Sequence, residues 1–486
     1  MKVPTDELKD EAICAACVGE TYLKGLIESD GEQRQCRYCD ETGPAFTLEE
    51  MADRVEAALQ NHYQRTPQDP NVYERAAMND PESSYDWYRE GEQTVHVIMD
   101  AADISEEAAS DIQEILDDRH SDFESATMGE ETEFSEDAHY EEIMPGDDEW
   151  REGWREFERS IKTEARFFSR VAAGQLAALF DDIDQLRTSS GRPLIVEAGP
   201  NTQLTHFFRA RVFQSDSKLE VALVRPDHEL AAPPPHLAAA GRMNAKGIST
   251  FYGATTPQIA LAEVRPPVGS QVAIARFNLN RPLRLLDLNA LQEIHVRGSI
   301  FNPQYARELG RMTFLRSLCG RISRPVMPDD QDSEYLPTQA VADYLATEGK
   351  VPLDGILFPS VQAGGDGLNV VLFHKASRCE ELQFPKGTEI SARTGQMSED
   401  GWEREYTVLE EVPPEQPAEE PAPVRPFYVA PEDYLNLSEW ANGDYRDPSM
   451  RIAPESIHVH LVNSVIFDAT DRPVRRHRWT KTDPQF

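Results

Sequence analysis

The chain has 486 residues, with 86 acidic side chains against 48 lysines and arginines, for a formal charge of -38. At about 150 residues per domain this predicts roughly two to four units, and so negative a surface repels phosphate backbones, which sets nucleic acid aside as a general partner. The first residues, MKVPTDELKDEAI, lack an apolar leader and no run is long enough to span a bilayer, so a soluble, cytoplasmic protein with no membrane partner is expected.

The N-terminal stretch carries Cys14, Cys17, Cys36 and Cys39 as C-x2-C-x18-C-x2-C. Two close pairs joined by a short loop can bring four thiolates to the corners of a tetrahedron, the arrangement a structural Zn2+ requires. Residues 1–45 are therefore expected to form a zinc ribbon whose closed four-sulphur site stabilises rather than catalyses. The remaining Cys319 and Cys379 read as buried single thiols.

An acidic helical domain is predicted over 46–188. Thr47 and Glu50 have capping-box spacing ahead of Met51, Val55, Ala58, Leu59 and His62 on one face. A second helix spans 105–119 with Ala109, Ile112, Ile115 and Leu116 inward. Between Ser121 and Trp150 there are twelve acids and no lysine or arginine, which reads as a solvated loop. Helical spacing returns over 149–186, with Trp150, Trp154, Phe157, Ile161, Phe168, Val171, Leu176, Leu179 and Ile183 read as core.

After Ser189 short apolar runs at 194–196, 219–224, 271–279, 283–288, 355–359 and 369–373 read as strands, with helices at 257–264, 303–318 and 338–347 between them. Consecutive strands early and helices later predict an α+β domain over 190–385 rather than a regular βαβ array. Residues 386–486 form a β-rich extension containing a Pro/Glu-rich linker at 413–426. A pair of strands or one long edge strand is expected over 456–467, where His458 and His460 face one way; with no third ligand evident they read as a polar sheet face. The cluster RPVRRHRW at 472–479 balances the acidic body locally.

Three blocks carry a candidate site: FFRARVF at 207–213, GRMNAKGISTFYGATTPQIALAEVRP at 241–266, and LDGILFPSVQAGGDGLNVVLF at 353–373. Tyr252 stands ten residues after Arg242, and Glu263 eleven further on. Ser360 follows a strand and a proline, with Gly364, Gly365, Gly367 and Asn369 leading into the next strand. In order and spacing these blocks resemble the RES family of NAD+-degrading toxins, named for its arginine, glutamate and serine, and Arg209 matches the arginine near that family's domain start. The N-terminal part resembles the HEPN/RES N-terminal domain often joined to RES domains.

The resemblance implies a fold similar to ADP-ribosyltransferases and cleavage of NAD+ at the nicotinamide-ribose bond by water or inorganic phosphate. The residue types suit that chemistry on their own terms. Loss of neutral nicotinamide builds oxocarbenium-like charge on the ribose, which a carboxylate such as Glu263 can steady. The planar forks of Arg209 and Arg242 suit a pyrophosphate. Tyr252 offers a ring and a hydroxyl to nicotinamide or ribose; Asn369 and Ser360 offer hydrogen bonds. Thr256 and Pro257 look like N-cap and N1 of the helix that ends at Glu263. His206 and His295 read as structural. The alternatives are a protein ADP-ribosyltransferase on the same fold, or an adaptor whose RES-like domain binds a nucleotide without consuming it. An antitoxin partner, or inhibition by the chain's own added segments, accompanies the toxin reading.

Overall fold

A computed structural model describes residues 4–80, 82–121, 131–324, 326–360, 362, 367–399, 401–414, 444–466 and 469–479. The Pro/Glu-rich linker from residue 415 on and the glycines at 364 and 365 lie outside the described residues. The chain divides into two compact units: residues 1–194 with 288–338 and 349–351, and residues 195–287 with 339–348 and 352–486.

The first unit opens with a three-stranded antiparallel sheet of β1 (Ala12–Cys14), β2 (Glu32–Gln35) and β3 (Thr42–Thr47), in the order β1-β3-β2. Helix α1 (Thr21–Asp30) fills the space between the two cysteine pairs and is capped by Glu20, whose carboxylate accepts from the Leu23 amide at 2.7 Å. Helix α2 (Leu48–His62) begins with the expected capping box, Thr47 Oγ1 accepting from Glu50 N at 3.1 Å and Glu50 accepting from Thr47 N at 2.9 Å. With α3 (Thr94–Ala102) and α4 (Glu106–His120) it encloses a core of Ile13, Leu23, Phe46, Val55, Ile98, Ile112 and Leu116. Each such side chain contributes about 1.5–3 kcal/mol by leaving water.

Two expectations for this unit need correction. The acidic stretch is not a solvated loop throughout: from Glu131 it is folded, with Glu131 taking the Arg89 guanidinium through two 2.7 Å bonds and Phe134 fully buried. Its partner cation comes from an earlier segment, so composition alone misread it. The single helix expected over 149–186 is two, α5 (Asp148–Arg159) and α6 (Arg170–Phe180), separated by a π-turn over Ser160–Glu164. The change of direction leaves Phe168 96% and Val171 43% exposed instead of in the core, while Trp154 packs at a tilt against Phe157 and Phe314 as a core residue should.

The second unit is built on a nine-stranded mixed sheet. Its strands are β4 (Ile195–Ala198), β5 (His206–Phe213), β6 (Phe251–Ala254), β7 (Gln271–Leu279), β8 (Leu283–Asp287), β9 (Gly355–Pro359), β10 (Leu368–Leu372), β11 (Cys379–Glu380) and β12 (Met450–Leu461). They lie in the order β11-β12-β7-β5-β6-β10-β9-β8-β4. Most neighbours run antiparallel; β8 with β9 and β11 with β12 are parallel. The α+β class is as expected.

Residues 219–224, expected as a strand, belong instead to helix α7 (Asp216–Val224), which buries Leu219, Ala222 and Leu223. A six-residue apolar run fits either state, and here the neighbouring sheet decided the matter. Helix α8 (Pro257–Glu263) packs Ile259 and Ala260 on the sheet face formed by Ala210, Ala254, Val272 and Ile274. The opposite face holds Phe207, Phe213, Phe251, Phe277 and Val370. Helix α9 (Leu336–Thr347) completes the elements used below. Strand β12 pairs along the whole of β7, so this part of the extension is an integral strand of the sheet.

Candidate functional site

Helix α8 is fixed at its start. Thr256 caps it, accepting from the Ile259 amide, and Pro257 stands in its first turn. Neighbouring Thr255 clasps β10 through Thr255 N to Leu368 O at 2.9 Å and Leu368 N to Thr255 Oγ1 at 3.0 Å. Gly367 allows this approach, because a Cβ there would stand 1.8 Å from Ile259 Cδ1. The helix ends at Glu263, two residues before Arg265, whose positive φ of 44° turns the chain away. This placement delivers the Glu263 carboxylate to Asn369 on β10, whose Nδ2 donates to Glu263 Oε2 at 3.1 Å. Asn369 is 3% exposed, and its Oδ1 is buried with no partner among the described residues. An orphaned acceptor in such a place is costly unless something donates to it.

Tyr252 lies on the neighbouring strand, in register with Val371, two residues beyond Asn369 on the same face. Its hydroxyl is engaged on a loop rather than left open: it donates to Asn244 Oδ1 at 2.8 Å and accepts from Met243 N at 2.9 Å. Asn244, 4% exposed, in turn donates from Nδ2 to the carbonyls of Ala239, Ala245 and Ile248 at 2.9–3.1 Å. Gln339 on α9 donates to the Gly241 carbonyl at 2.8 Å. Gly241 is obligatory here, since a Cβ would come within 2.6 Å of Asn244 Oδ1 and 2.7 Å of the Tyr252 hydroxyl. Arg242 sits within this clamp, between Gly241 and Met243. Asn244 lies in the block at 241–266 but carries no role in the sequence reading. A buried amide knotting its own loop leaves only that block as a trace.

Arg209 is placed differently. Strands β5 and β6 are joined by the pair Phe208 with Ala254 and then part, and Arg209 Nη1 donates across this opening to the Tyr252 carbonyl at 2.9 Å. Alternation along β5 puts it on the Phe207 and Phe213 face, its guanidinium 5.4 Å from the Phe251 ring centroid, while Glu263 and Asn369 occupy the α8 face. Burial in protein pushes its pKa down to about 10, with Arg211 adding repulsion, and its Nε has no partner among the described residues. Although part of the side chain retains surface, the enclosed guanidinium governs the shift. Ser360 follows β9 directly and accepts from the Gln362 amide at 3.3 Å. Because Phe358 pairs with Asn369, Ser360 lies at the same end of the sheet as Asn369.

A cavity of about 880 Å³ beside Arg211, Gln214, Lys218 and Glu229 is not this site; none of Glu263, Tyr252, Asn369 or Arg242 lines it. What marks the site is unsatisfied buried polarity, not volume. Among the described residues of the second unit, the buried side-chain atoms without a partner are Arg209 Nε, Asn369 Oδ1 and Arg276 Nε; Asn369 Oδ1 adjoins Glu263, while Arg209 Nε lies on the other face of the sheet.

Residues 220–394 match the family model of the RES domain, and residues 29–174 match that of HEPN/RES N-terminal domain 1. The chain carries a RES domain. Arg242, Tyr252, Glu263, Ser360 and Asn369 lie inside the RES match, and Arg209 lies upstream of it. RES domains are associated with NAD+-processing, toxin-related enzymes. No curated protein and no solved structure matches the chain.

Ahead of the RES domain, the four cysteines come together. Cys14 and Cys39 sulphurs are 3.6 Å apart, Cys17 and Cys36 are 3.7 Å apart, and all four lie within 4.8 Å of one another. A tetrahedral ion bound at about 2.3 Å spaces its sulphurs about 3.8 Å apart, so the cage fits a metal ion. Burial and the neighbouring sulphurs push the Cys17 thiol up, while, against the upward pull of its own burial, the Cys36 thiol is brought down to about 7 by backbone amides of Cys14, Tyr38 and Cys39. Cys319 is buried as expected; Cys379 is only partly so. No helix among the described residues is long and apolar enough to cross a membrane.

Proposed function

We propose that this chain cleaves NAD+ at the nicotinamide-ribose bond, releasing nicotinamide and ADP-ribose or its 1-phosphate, as a toxin-type NAD+-depleting enzyme with an ADP-ribosyltransferase-like RES domain. The observation that carries this reading is the pair of Glu263 and Asn369. A carboxylate is held at a helix end by a buried amide whose own oxygen lacks a donor among the described residues, and a ribose hydroxyl would supply that donor. Glu263 would then steady the positive charge that grows on the ribose as nicotinamide departs. Arg242 on its clamped loop and Arg209 at the strand opening would hold the pyrophosphate. The ring of Tyr252 would orient the nicotinamide riboside, and Ser360 would hydrogen-bond the carboxamide or an attacking phosphate.

The cysteine cage would hold Zn2+ and supply folding free energy to the N-terminal unit, taking no part in the reaction. Restraint of the activity in the cell would come from an antitoxin or from the segments flanking the RES domain. The test is direct: purified protein is incubated with NAD+, with and without inorganic phosphate, and products are separated by mass spectrometry. Nicotinamide release that disappears in Glu263→Ala, with the circular dichroism spectrum unchanged, is the expected result. Full turnover in that variant, or a modified protein in place of free ADP-ribose, would refute this reading.

A further inference from the structure

The third orphaned atom of the second unit, Arg276 Nε, lies outside the site just described, and its surroundings are built. Strand β12 departs from regular pairing with β7 here: Ile274 faces His458 but Arg276 faces Ala453, so residues 454–457 oppose the single residue Ala275. The bulge is locked by Ser456, whose Oγ accepts from Arg276 N at 2.9 Å and donates to the Ala453 carbonyl at 2.6 Å. Bulges of this kind re-aim side chains and recur beside binding sites. Next to it a cavity of about 510 Å³ opens between α8 and β12.

One wall of the cavity is apolar, formed by Phe208, Leu261 and Ile274; the other carries Arg276, His458 and His460. His458 and His460 share a face because Ile274 and Val272 are their partners in register. The facing charges are Arg276 and Glu455, whose carboxylate meets Arg276 Nη2 only at 3.4 Å and is itself well exposed, leaving Nε unsatisfied. None of Glu263, Asn369, Tyr252 or Arg242 lines this cavity. Its volume falls in the usual range for small ligands, and an apolar wall with one aromatic ring beside a guanidinium and two imidazoles suits a planar ring joined to an anion. On a chain this acidic, such a cluster would also be a local exception to the general repulsion of phosphates.

We propose that the cleft between α8 and β12 binds a small phosphorylated heterocycle of nucleoside monophosphate size, with the phosphate at Arg276, His458 and His460 and the ring against Phe208 and Leu261. Such a ligand would touch α8, the helix that ends at Glu263, and so offers a route by which a nucleotide could bear on that residue. The test uses the full chain and calorimetric titration with AMP and UMP, and with adenosine and inorganic phosphate as separate halves. Saturable binding of a monophosphate at least roughly tenfold tighter than either half is expected. Arg276→Met should weaken it at least roughly tenfold, and so should Gln258→Trp, which fills the cleft from the exposed side of α8 without touching the core. Glu263→Ala should bind as the parent does. Absence of binding at millimolar nucleotide overturns the proposal, as does binding unchanged in both cleft variants. Loss of binding in Glu263→Ala would overturn it too, by moving the ligand to the other site. Because the readout is binding, the outcome is independent of whether NAD+ is cleaved.

Discussion

Replacing Tyr252 by phenylalanine removes one oxygen and leaves the ring. That oxygen makes two hydrogen bonds, to Asn244 Oδ1 and from Met243 N, both within the loop that presents Arg242. At about 1 kcal/mol net for each, the closed loop loses about 2 kcal/mol, or roughly thirtyfold in its opening equilibrium. If the hydroxyl serves the loop, the loss falls on KM, up to roughly thirtyfold, while kcat stays within about threefold. Asn244→Ala removes the same bond and releases three further carbonyl contacts, so it should cost more, about 3 kcal/mol. The double variant should then lose only about 1 kcal/mol more than Asn244→Ala alone, for the Met243 bond that Asn244→Ala leaves in place, instead of the full 2 kcal/mol of Tyr252→Phe. Nicotinamide release by the four proteins across a range of NAD+ concentrations gives the cycle. A kcat falling by about a hundredfold in Tyr252→Phe, additive with Asn244→Ala, would show that the hydroxyl acts on the substrate and refute the loop assignment.

Other consequences can be checked separately. Asn369→Ala frees the Glu263 carboxylate and should lower kcat about tenfold to a hundredfold while Glu263→Ala abolishes it; equal losses would mean that Asn369 acts directly on substrate. Arg209→Met removes a desolvated cation and should raise thermal stability, by on the order of 1–3 kcal/mol, while weakening NAD+ affinity; lower stability with unaltered affinity would make the residue purely structural. Asp227, whose side chain is fully buried, pays for burial but is held below the usual carboxylate range by Arg225 and the Leu382 amide. Its stabilisation is therefore present above the ordinary value near 3.8 and disappears as pH falls through the depressed one, so Asp227→Asn should flatten the acid limb of a melting-temperature profile. Chelation, or Cys36→Ser, should release about one metal ion per chain and melt the N-terminal sheet, seen as lost amide-exchange protection over residues 12–47.

Local signals in this sequence survive translation into structure, and pairings do not announce themselves. The capping box at Thr47 and Glu50 and the cap at Thr256 were legible because a cap is decided within four residues. The C-x2-C pairs were legible because ligand spacing constrains geometry directly. The run at 219–224 was misread because apolar content without clear periodicity suits a helix lying on a sheet as well as a strand within one. Glu263 and Asn369 were each quoted, but their hydrogen bond spans 106 positions and depends on how α8 crosses β10. The opening that Arg209 spans to reach the Tyr252 carbonyl turns on where β6 leaves β5, a feature of sheet geometry with no sequence marker. Asn244 was overlooked because buried asparagine and solvent-facing asparagine look alike in a string of letters.

Strand β12 reaches its place from far along the chain, pairing Met450 with Leu279 and Leu461 with Gln271. A polypeptide cut shortly after residue 385 would contain every candidate residue of the RES site yet leave the outer rim of β7 bare. On this nine-residue apolar strand the alternate amides and carbonyls that β12 had engaged would stand unpaired, an adhesive edge inviting another chain to zip on. Dissection of this protein therefore has to carry residues 450–461 along, and insolubility of a shorter piece would report a missing seam, not a lack of catalytic competence.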